Sequence, residues 1–77
     1  GLMNSPFALR QAAFFAERLR TEAGSDPIAQ VRLAVKLAFS REATSQETLH
    51  LSKLALEHGL GQVCRVLFNA SEFIYLP

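Results

Sequence analysis

The sequence is poor in cysteine, aspartate and tryptophan, and two of these shortages exclude a class of site. Among its 77 residues there is one cysteine, one methionine, one tyrosine and no tryptophan. Because Cys64 stands alone, the chain has neither an internal disulfide nor a multi-cysteine metal site. This cysteine usage fits a reducing compartment, but an exported domain without disulfides has the same usage. The sole aspartate, Asp26, precedes a proline as a helix cap, which leaves a Ser-His-Asp triad without a credible third member.

Long apolar runs and an excess of one charge are also missing. The longest apolar stretches, such as Ala12–Ala16, fall far short of the ~20 residues that a membrane-spanning helix needs. Eight Lys and Arg nearly balance seven Asp and Glu, for a net charge of +1 and a pI of about 8.2. A nucleic-acid-binding domain usually has a clustered basic face and a pI above about 9. We therefore expect a soluble domain with neither a membrane nor a nucleic acid as partner.

Apolar residues are abundant, and they predict a dense core. They make up 49% of the chain. A domain with a single core usually has on the order of 50–200 residues, and the 77 residues of this chain fall within that range. No internal repeat, linker or hairpin signal divides the sequence, so we predict one domain over residues 1–77. No signal peptide is visible, and the chain opens directly at a helix start. We expect it to be a piece of a longer protein.

Each of the first two helices begins with a capping residue followed by a proline. Ser5-Pro6, after Asn4, and Asp26-Pro27 each combine a polar cap with a proline whose fixed φ suits a first helical turn. The apolar residues that follow recur every three or four positions, the period of a helix and not of a strand. Gly24-Ser25 ends the first helix. The predicted apolar stripes are Ala8, Ala12, Phe15 and Leu19 in the first helix, and Ile28, Val31, Val35 and Ala38 in the second.

A capping box and a glycine stop delimit the third helix. Ser40–Ala43 forms a short connection, Thr44 caps the helix with Glu47 three residues on, and His58-Gly59 ends it. A fourth helix is expected from about Gly61 to Asn69, burying Val63, Cys64, Leu67 and Phe68 in some combination. We therefore predict an all-α fold, a small bundle of four short helices. Its predicted central core residues are Phe15, Leu19, Val31, Val35, Leu51, Leu54 and Leu67.

Three stretches of the sequence resemble one family. They are Met3–Leu19, which begins Met-Asn-Ser-Pro-Phe; Ala34–Glu47; and Cys64–Tyr75, which contains Leu-Phe-Asn-Ala-Ser-Glu-Phe. In this order and spacing they resemble the C-terminal portion of the planctomycete-specific domain of unknown function. The resemblance covers nearly the whole chain. The family pattern usually has Gly at Ser40 and Pro at Ala43, and both departures lie in the connection between the second and third helices.

The resemblance implies a setting for the chain and no reaction mechanism. The family has no established activity. Its domain occurs in large exported proteins, often beside a planctomycete cytochrome-c-type domain, so an exported or cell-envelope location is implied. Any haem would belong to another part of such a protein, because Cys64-Arg65-Val66-Leu67 contains no C-x-x-C-H motif. No cofactor and no small-molecule ligand is expected in the chain itself.

Four residues of types that bind metals or act as nucleophiles are explained better by structural roles. Glu47-x-x-His50 is half of a carboxylate-bridged metal motif, but no second copy exists, and Glu47 is the natural capping-box residue. His50 and His58 are eight residues apart, which places them about 80° out of line on a helix. His58 suits the C-terminal end of a helix dipole. Cys64 lies in an apolar run, where a free cysteine behaves as a small hydrophobe.

One charged pair and four aromatic residues are the main candidates for structural or contact roles. We predict that Arg41 and Glu72 form a partly buried ion pair or a carbonyl clamp, which fastens the connection between the second and third helices to the C-terminal tail. The alternative is that the two residues form a recognition pair at a surface cleft. The tail, Phe73–Pro77, is expected to pack on the bundle or to continue into further chain. The predicted contact surface for other domains or another protein consists of Phe7, Phe14, Phe73 and Tyr75.

DNA binding is one alternative function. From Phe39 to Gly59, a helix, a short turn and a capped helix succeed one another, as in a helix-turn-helix. The predicted recognition helix begins Ser45–Thr48 and has only Lys53 as a fixed cation, with Glu47 and Glu57 opposing it. Phosphate-contacting surfaces are richer in cations than this. A second alternative is that the chain supports an enzyme whose active site lies outside it. The sequence favours a non-enzymatic packing or interaction module.

Overall fold

Residues 5–70 fold into four α-helices, which confirms the predicted all-α bundle. The structure is a computed structural model that describes residues 5–70. The helices are α1 (Pro6–Ala23), α2 (Pro27–Phe39), α3 (Ser45–His58) and α4 (Leu60–Phe68). None of them is long and apolar enough to cross a lipid bilayer.

Side-chain caps fix the starts of the first three helices as the sequence predicted. The Ser5 Oγ accepts a hydrogen bond from the Ala8 N–H at 3.1 Å, and Asp26 Oδ1 accepts one from the Ile28 N–H at 3.0 Å. At α3 the box is reciprocal: Thr44 Oγ1 accepts from the Glu47 N–H at 3.0 Å, and Glu47 Oε1 accepts from the Thr44 N–H at 2.9 Å. Each cap satisfies an N–H group that has no partner within the helix.

Gly59 joins α3 to α4 without a loop. Its N–H donates to the Ala55 carbonyl at 2.9 Å, which ends α3, and α4 begins at the next residue. The backbone of Gly59 has φ 91° and ψ 158°, a region that essentially only glycine adopts. Because one residue serves both helices, α4 begins at Leu60, one residue before the predicted start at about Gly61. It ends at Phe68, one residue before the predicted end at Asn69.

The shortest helix is the most completely buried one. Nine residues are too few for a helix that is stable alone, so α4 depends on packing against α1, α2 and α3. Its inward face contributes four buried residues, whereas α3 contributes none and covers the core with half-buried side chains. The buried cluster is Ala12, Ala16, Leu19, Val31, Ala34, Val35, Leu60, Val63, Cys64 and Leu67.

The predicted core is right at its centre and wrong at its edges. Leu19, Val31, Val35 and Leu67 are buried. Phe15, Leu51 and Leu54 are half-buried against the cluster, because Phe15 lies at the edge of the α1 face and α3 covers the core from outside. Ile28, predicted in the α2 stripe, is 49% exposed because it lies in the first turn of α2, at the edge of the bundle.

A buried glutamine holds the turn between α1 and α2. Gln30 is 8% exposed, and its Nε2 donates to the Gly24 carbonyl at 2.6 Å. Gly24 itself has φ 77° and ends α1, as predicted from the sequence. The role of Gln30 was not predicted, because a single glutamine in an apolar stripe carries no spacing signal.

Candidate interaction surface

A polar contact with two hydrogen bonds joins Arg41 to Glu47. Arg41 Nη1 donates to Glu47 Oε1 and Nη2 donates to Oε2, each at 2.8 Å. The guanidinium also lies over the Phe39 ring, 5.5 Å from its centroid. Both charged side chains are about one-third exposed, at 34% and 33%. The pair therefore ties the connection after α2 to the first turn of α3.

These hydrogen bonds hold the Glu47 carboxylate in its charged form. The Arg41 guanidinium first, and the Thr44 N–H second, lower the pKa of Glu47 from 4.5 to about 2. Both carboxylate oxygens accept hydrogen bonds from within the chain. This geometry supports the capping interpretation of Glu47 over the metal-ligand interpretation.

The predicted partner of Arg41, Glu72, lies outside the described residues, as do Phe73 and Tyr75. The ion pair with Glu72 therefore stays a prediction, while the contact with Glu47 is a finding that the sequence reading missed. A signal for it was present, because a capping-box glutamate keeps carboxylate lone pairs free. An arginine three residues before the cap is within reach of them.

The two histidines and the cysteine lie in different environments. His50 and His58 are exposed on α3, and His58 occupies its last turn. Cys64 is completely buried on α4, as predicted, and burial raises the pKa of its thiol to about 11. Across residues 5–70, no three His, Cys, Asp or Glu side chains lie close enough together to hold a metal ion.

Two phenylalanine rings of α1 point away from the core. Phe7 is 64% exposed and Phe14 is 65% exposed. Seven residues differ by only about 20° around an α-helix, so the two rings lie on the same side of α1. We call them the aromatic row. It is formed by the two residues of the predicted contact surface that lie within the described part of the chain.

A groove runs beside the Phe14 end of the aromatic row. We call it the α1/α2 groove, because its walls come mainly from α1 and the C-terminal part of α2. Two of its lining residues, Phe15 and Phe68, stack their rings with centroids 5.9 Å apart and planes 10° apart. The groove has a volume of about 320 Å³ and is lined by Gln11, Phe14, Phe15, Arg18, Leu37, Ala38 and Phe68.

The outer face of α3, which would read DNA in a helix-turn-helix, is not a basic surface. Leu49 and Leu56, seven residues apart, are 64% and 75% exposed. Between them Lys53 is the one fixed cation of α3, and Glu57 is exposed beside it. A duplex carries one negative charge per ~1.7 Å, so a face with this composition offers few phosphate contacts.

No known protein family, curated protein or solved structure matches the chain. The resemblance to the planctomycete-specific domain therefore rests on the three sequence stretches themselves, and it remains a prediction.

Proposed function

We propose that the chain is a non-enzymatic packing and interaction module of a longer protein, with the aromatic row as its contact face. The observation that carries the proposal is the exposure of Phe7 and Phe14, about two-thirds each, on one side of α1. The partner is another domain of the same protein or a second protein. In line with the resemblance, that protein is an exported one of the planctomycete type.

The energetic cost of this exposure supports a partner. Burial of a phenylalanine side chain stabilises a protein by roughly 1.5–3 kcal/mol, so the isolated domain forgoes much of this gain at two positions. Single exposed apolar residues are common on protein surfaces, but two aligned rings beside an apolar groove are typical of an interface. A partner that covers the aromatic row would gain the stabilisation that comes from burying these two side chains.

The distribution of polar groups supports a role other than catalysis. Ser5, Asp26 and Thr44 each accept a backbone N–H at a helix start. Glu47 is held by Arg41, and the thiol of Cys64 is buried. A nucleophile or general base needs an activating neighbour and access to a substrate, and these side chains are engaged in fastening helices.

One backbone feature supports the family resemblance. Ser40 has φ 57° and ψ 36°, the left-handed conformation that favours glycine. The family pattern usually has glycine at this position. A glycine preference in the family is thus explained by the turn that this chain makes between α2 and α3.

Site-specific photocrosslinking in the longer protein tests the proposal. Phe7 is replaced by benzoylphenylalanine, which conserves the aromatic ring, and Leu49 on α3 is replaced in the same way as a control. Both positions are 64% exposed. We expect crosslinks from position 7 to one defined segment of partner chain and few from position 49. Equal, scattered crosslinks from both positions would contradict the proposed contact face.

A DNA-binding assay tests the alternative directly. We expect no salt-dependent change in the anisotropy of a labelled mixed-sequence duplex when the protein is added. Salt-sensitive binding that is lost on Lys53→Gln would favour the helix-turn-helix function over the interaction module.

A further inference from the structure

The exposed face of α1 carries a cation beside the aromatic row. Arg10 lies between Phe7 and Phe14 in the sequence, is exposed, and forms no ion pair within residues 5–70. The other two arginines of α1 each lie near a glutamate of the same helix, at 2.6 and 3.5 Å. Covering an unpaired charge is costly, so a surface that covers the two rings has to supply an acidic group for Arg10.

An acidic group lies on the same side of the helix. Arg10 precedes Phe14 by four residues and Glu17 follows it by three, so both lie to one side of Phe14, about 40° and about 60° around the helix. The Glu17 side chain is 66% exposed, and its carboxylate is 3.5 Å from the Arg20 guanidinium. That separation exceeds the roughly 2.7–2.9 Å of a charge-assisted hydrogen bond. Glu17 can therefore accept hydrogen bonds from a second arginine.

A second copy of α1 that runs in the opposite direction brings these two charges together. At a rise of about 1.5 Å per residue, Arg10 lies about 6 Å before Phe14 along the helix axis and Glu17 about 4.5 Å after it. A two-fold axis between the two Phe14 residues, perpendicular to both helices, reverses this order and keeps each charge on its own side. Arg10 of one copy then lies opposite Glu17 of the other, within about 1.5 Å along the axis, and the contact occurs twice.

Other pairings of the same face leave Arg10 without an acidic neighbour. An antiparallel pairing that places Phe7 on Phe14 of the second copy puts the two-fold axis between residues 10 and 11, where the two Arg10 side chains repel each other. A parallel pairing places Arg10 opposite Gln11 and sets the like ends of two helix dipoles side by side. The charges therefore favour the antiparallel arrangement centred on Phe14.

We propose that the partner of the aromatic row is a second copy of the chain, paired through α1 in this antiparallel arrangement. The inference rests on the proposed function, because it names the partner of that same contact face. The two Phe14 rings meet at the two-fold axis. Each Phe7 lies beside Thr21 of the other copy, since both residues are seven positions from Phe14. A single helix face is a small interface, so a weak and reversible dimer is expected.

Charge reversal tests the arrangement. Sedimentation equilibrium measures the dimer dissociation constant of the whole chain, of Arg10→Glu, of Glu17→Arg and of the double variant that carries both changes. Arg32→Glu is the matched control. Arg32 is also an exposed arginine without an ion pair among the described residues, but it lies on α2. Far-UV circular dichroism shows whether each variant keeps its helices.

We expect the dissociation constant to rise at least about tenfold for each single reversal, because each one places like charges opposite each other twice per dimer. The double variant should restore most of the lost affinity, and Arg32→Glu should leave the dissociation constant unchanged. A chain that stays monomeric at every concentration would overturn the proposal. So would a dimer that tolerates Arg10→Glu or that the double variant does not restore. An equal loss with Arg32→Glu would also overturn it, because it would show a dependence on net charge alone.

The outcomes for the dimer and for the proposed function are separable. If the chain stays monomeric while crosslinks from position 7 reach one segment of another domain or protein, the contact face stands without the dimer. If the double variant restores the dimer while crosslinks in the longer protein are scattered, the dimer stands and the proposed function is wrong.

Discussion

Arg41 and Glu47 form a two-point ion pair, with both guanidinium-to-carboxylate distances at 2.8 Å, across the connection between α2 and α3. The same arginine lies over Phe39, the last residue of α2, and the same carboxylate accepts the Thr44 N–H at the start of α3. These contacts span from the end of one helix to the first turn of the next. They therefore fix the direction in which α3 leaves α2.

Arg41→Ala is expected to destabilise the domain by about 1 kcal/mol, because it removes a bidentate pair that is only partly screened by water. For a domain of this size the melting temperature should fall by roughly 4–8 °C. Thermal unfolding followed by circular dichroism measures the change. The control is Arg18→Ala, whose single contact to Glu22 is more exposed, and we expect its effect to stay within about 0.5 kcal/mol. Equal melting temperatures for Arg41→Ala and the unchanged protein would contradict this role.

The contribution of Glu47 is expected to depend on pH in a defined direction. Its pKa falls from 4.5 to about 2 in the folded protein, so the folded state holds fewer protons than the unfolded state between these values. The stabilisation is present above pH 4.5 and is lost as the pH falls towards 2. Urea unfolding across this range should show the penalty of Arg41→Ala shrinking with the pH. A penalty that is constant down to pH 2 would show that the arginine acts without this carboxylate.

Gly59→Ala is expected to destabilise the domain by about 1–3 kcal/mol through backbone strain alone. A Cβ at this position meets nothing within 4 Å, so no steric clash contributes. Gly61→Ala is the matched control, since it lies inside α4 with equally open space. It should stabilise the helix by about 0.5–1 kcal/mol. Unfolding in urea measures both variants, and opposite signs are the expected result; equal effects would place the strain elsewhere.

Cys64 is expected to be unreactive in the folded protein. Burial raises the pKa of its thiol to about 11 and excludes solvent, so modification by a disulfide reagent at pH 8 should proceed only through unfolding. The labelling rate should then rise with urea in step with the unfolding transition. Cys64→Ser should destabilise the domain by about 1–3 kcal/mol, because it buries a hydroxyl in an apolar site. Rapid labelling without denaturant would reveal an accessible thiol.

Helix number, helix starts and the centre of the core were predictable because they follow from local chemistry. Caps at Ser5, Asp26 and Thr44 act within three residues of themselves, and a helical apolar period is visible in any short window. The exact start of α4 was not predictable, because Gly59 serves two helices at once. The exposure of Ile28 also depends on the bundle, since periodicity shows a face and not what covers it.

The polar and surface features also divide into those set by local sequence and those set by tertiary packing. The capping role of Glu47 and the burial of Cys64 were read from local pattern. The pairing of Arg41 with Glu47 had a local signal in the capping box, but it depends also on the path of the chain between α2 and α3. The groove beside Phe14 was beyond sequence reasoning, because three helices contribute to it. Its lining includes the stacked rings of Phe15 and Phe68, which are far apart in the chain.

Hydroxyl-radical footprinting of Phe7 tests the central claim, that the aromatic row is a contact face, most directly. Oxidation of Phe7 is compared between the isolated domain and the longer protein, with Leu56 on α3 as the internal reference. In the isolated domain both side chains are largely exposed, at 64% and 75%, and should be oxidised readily. The account predicts that Phe7 becomes several-fold protected in the longer protein while Leu56 does not. Equal oxidation of Phe7 in the two proteins would contradict it.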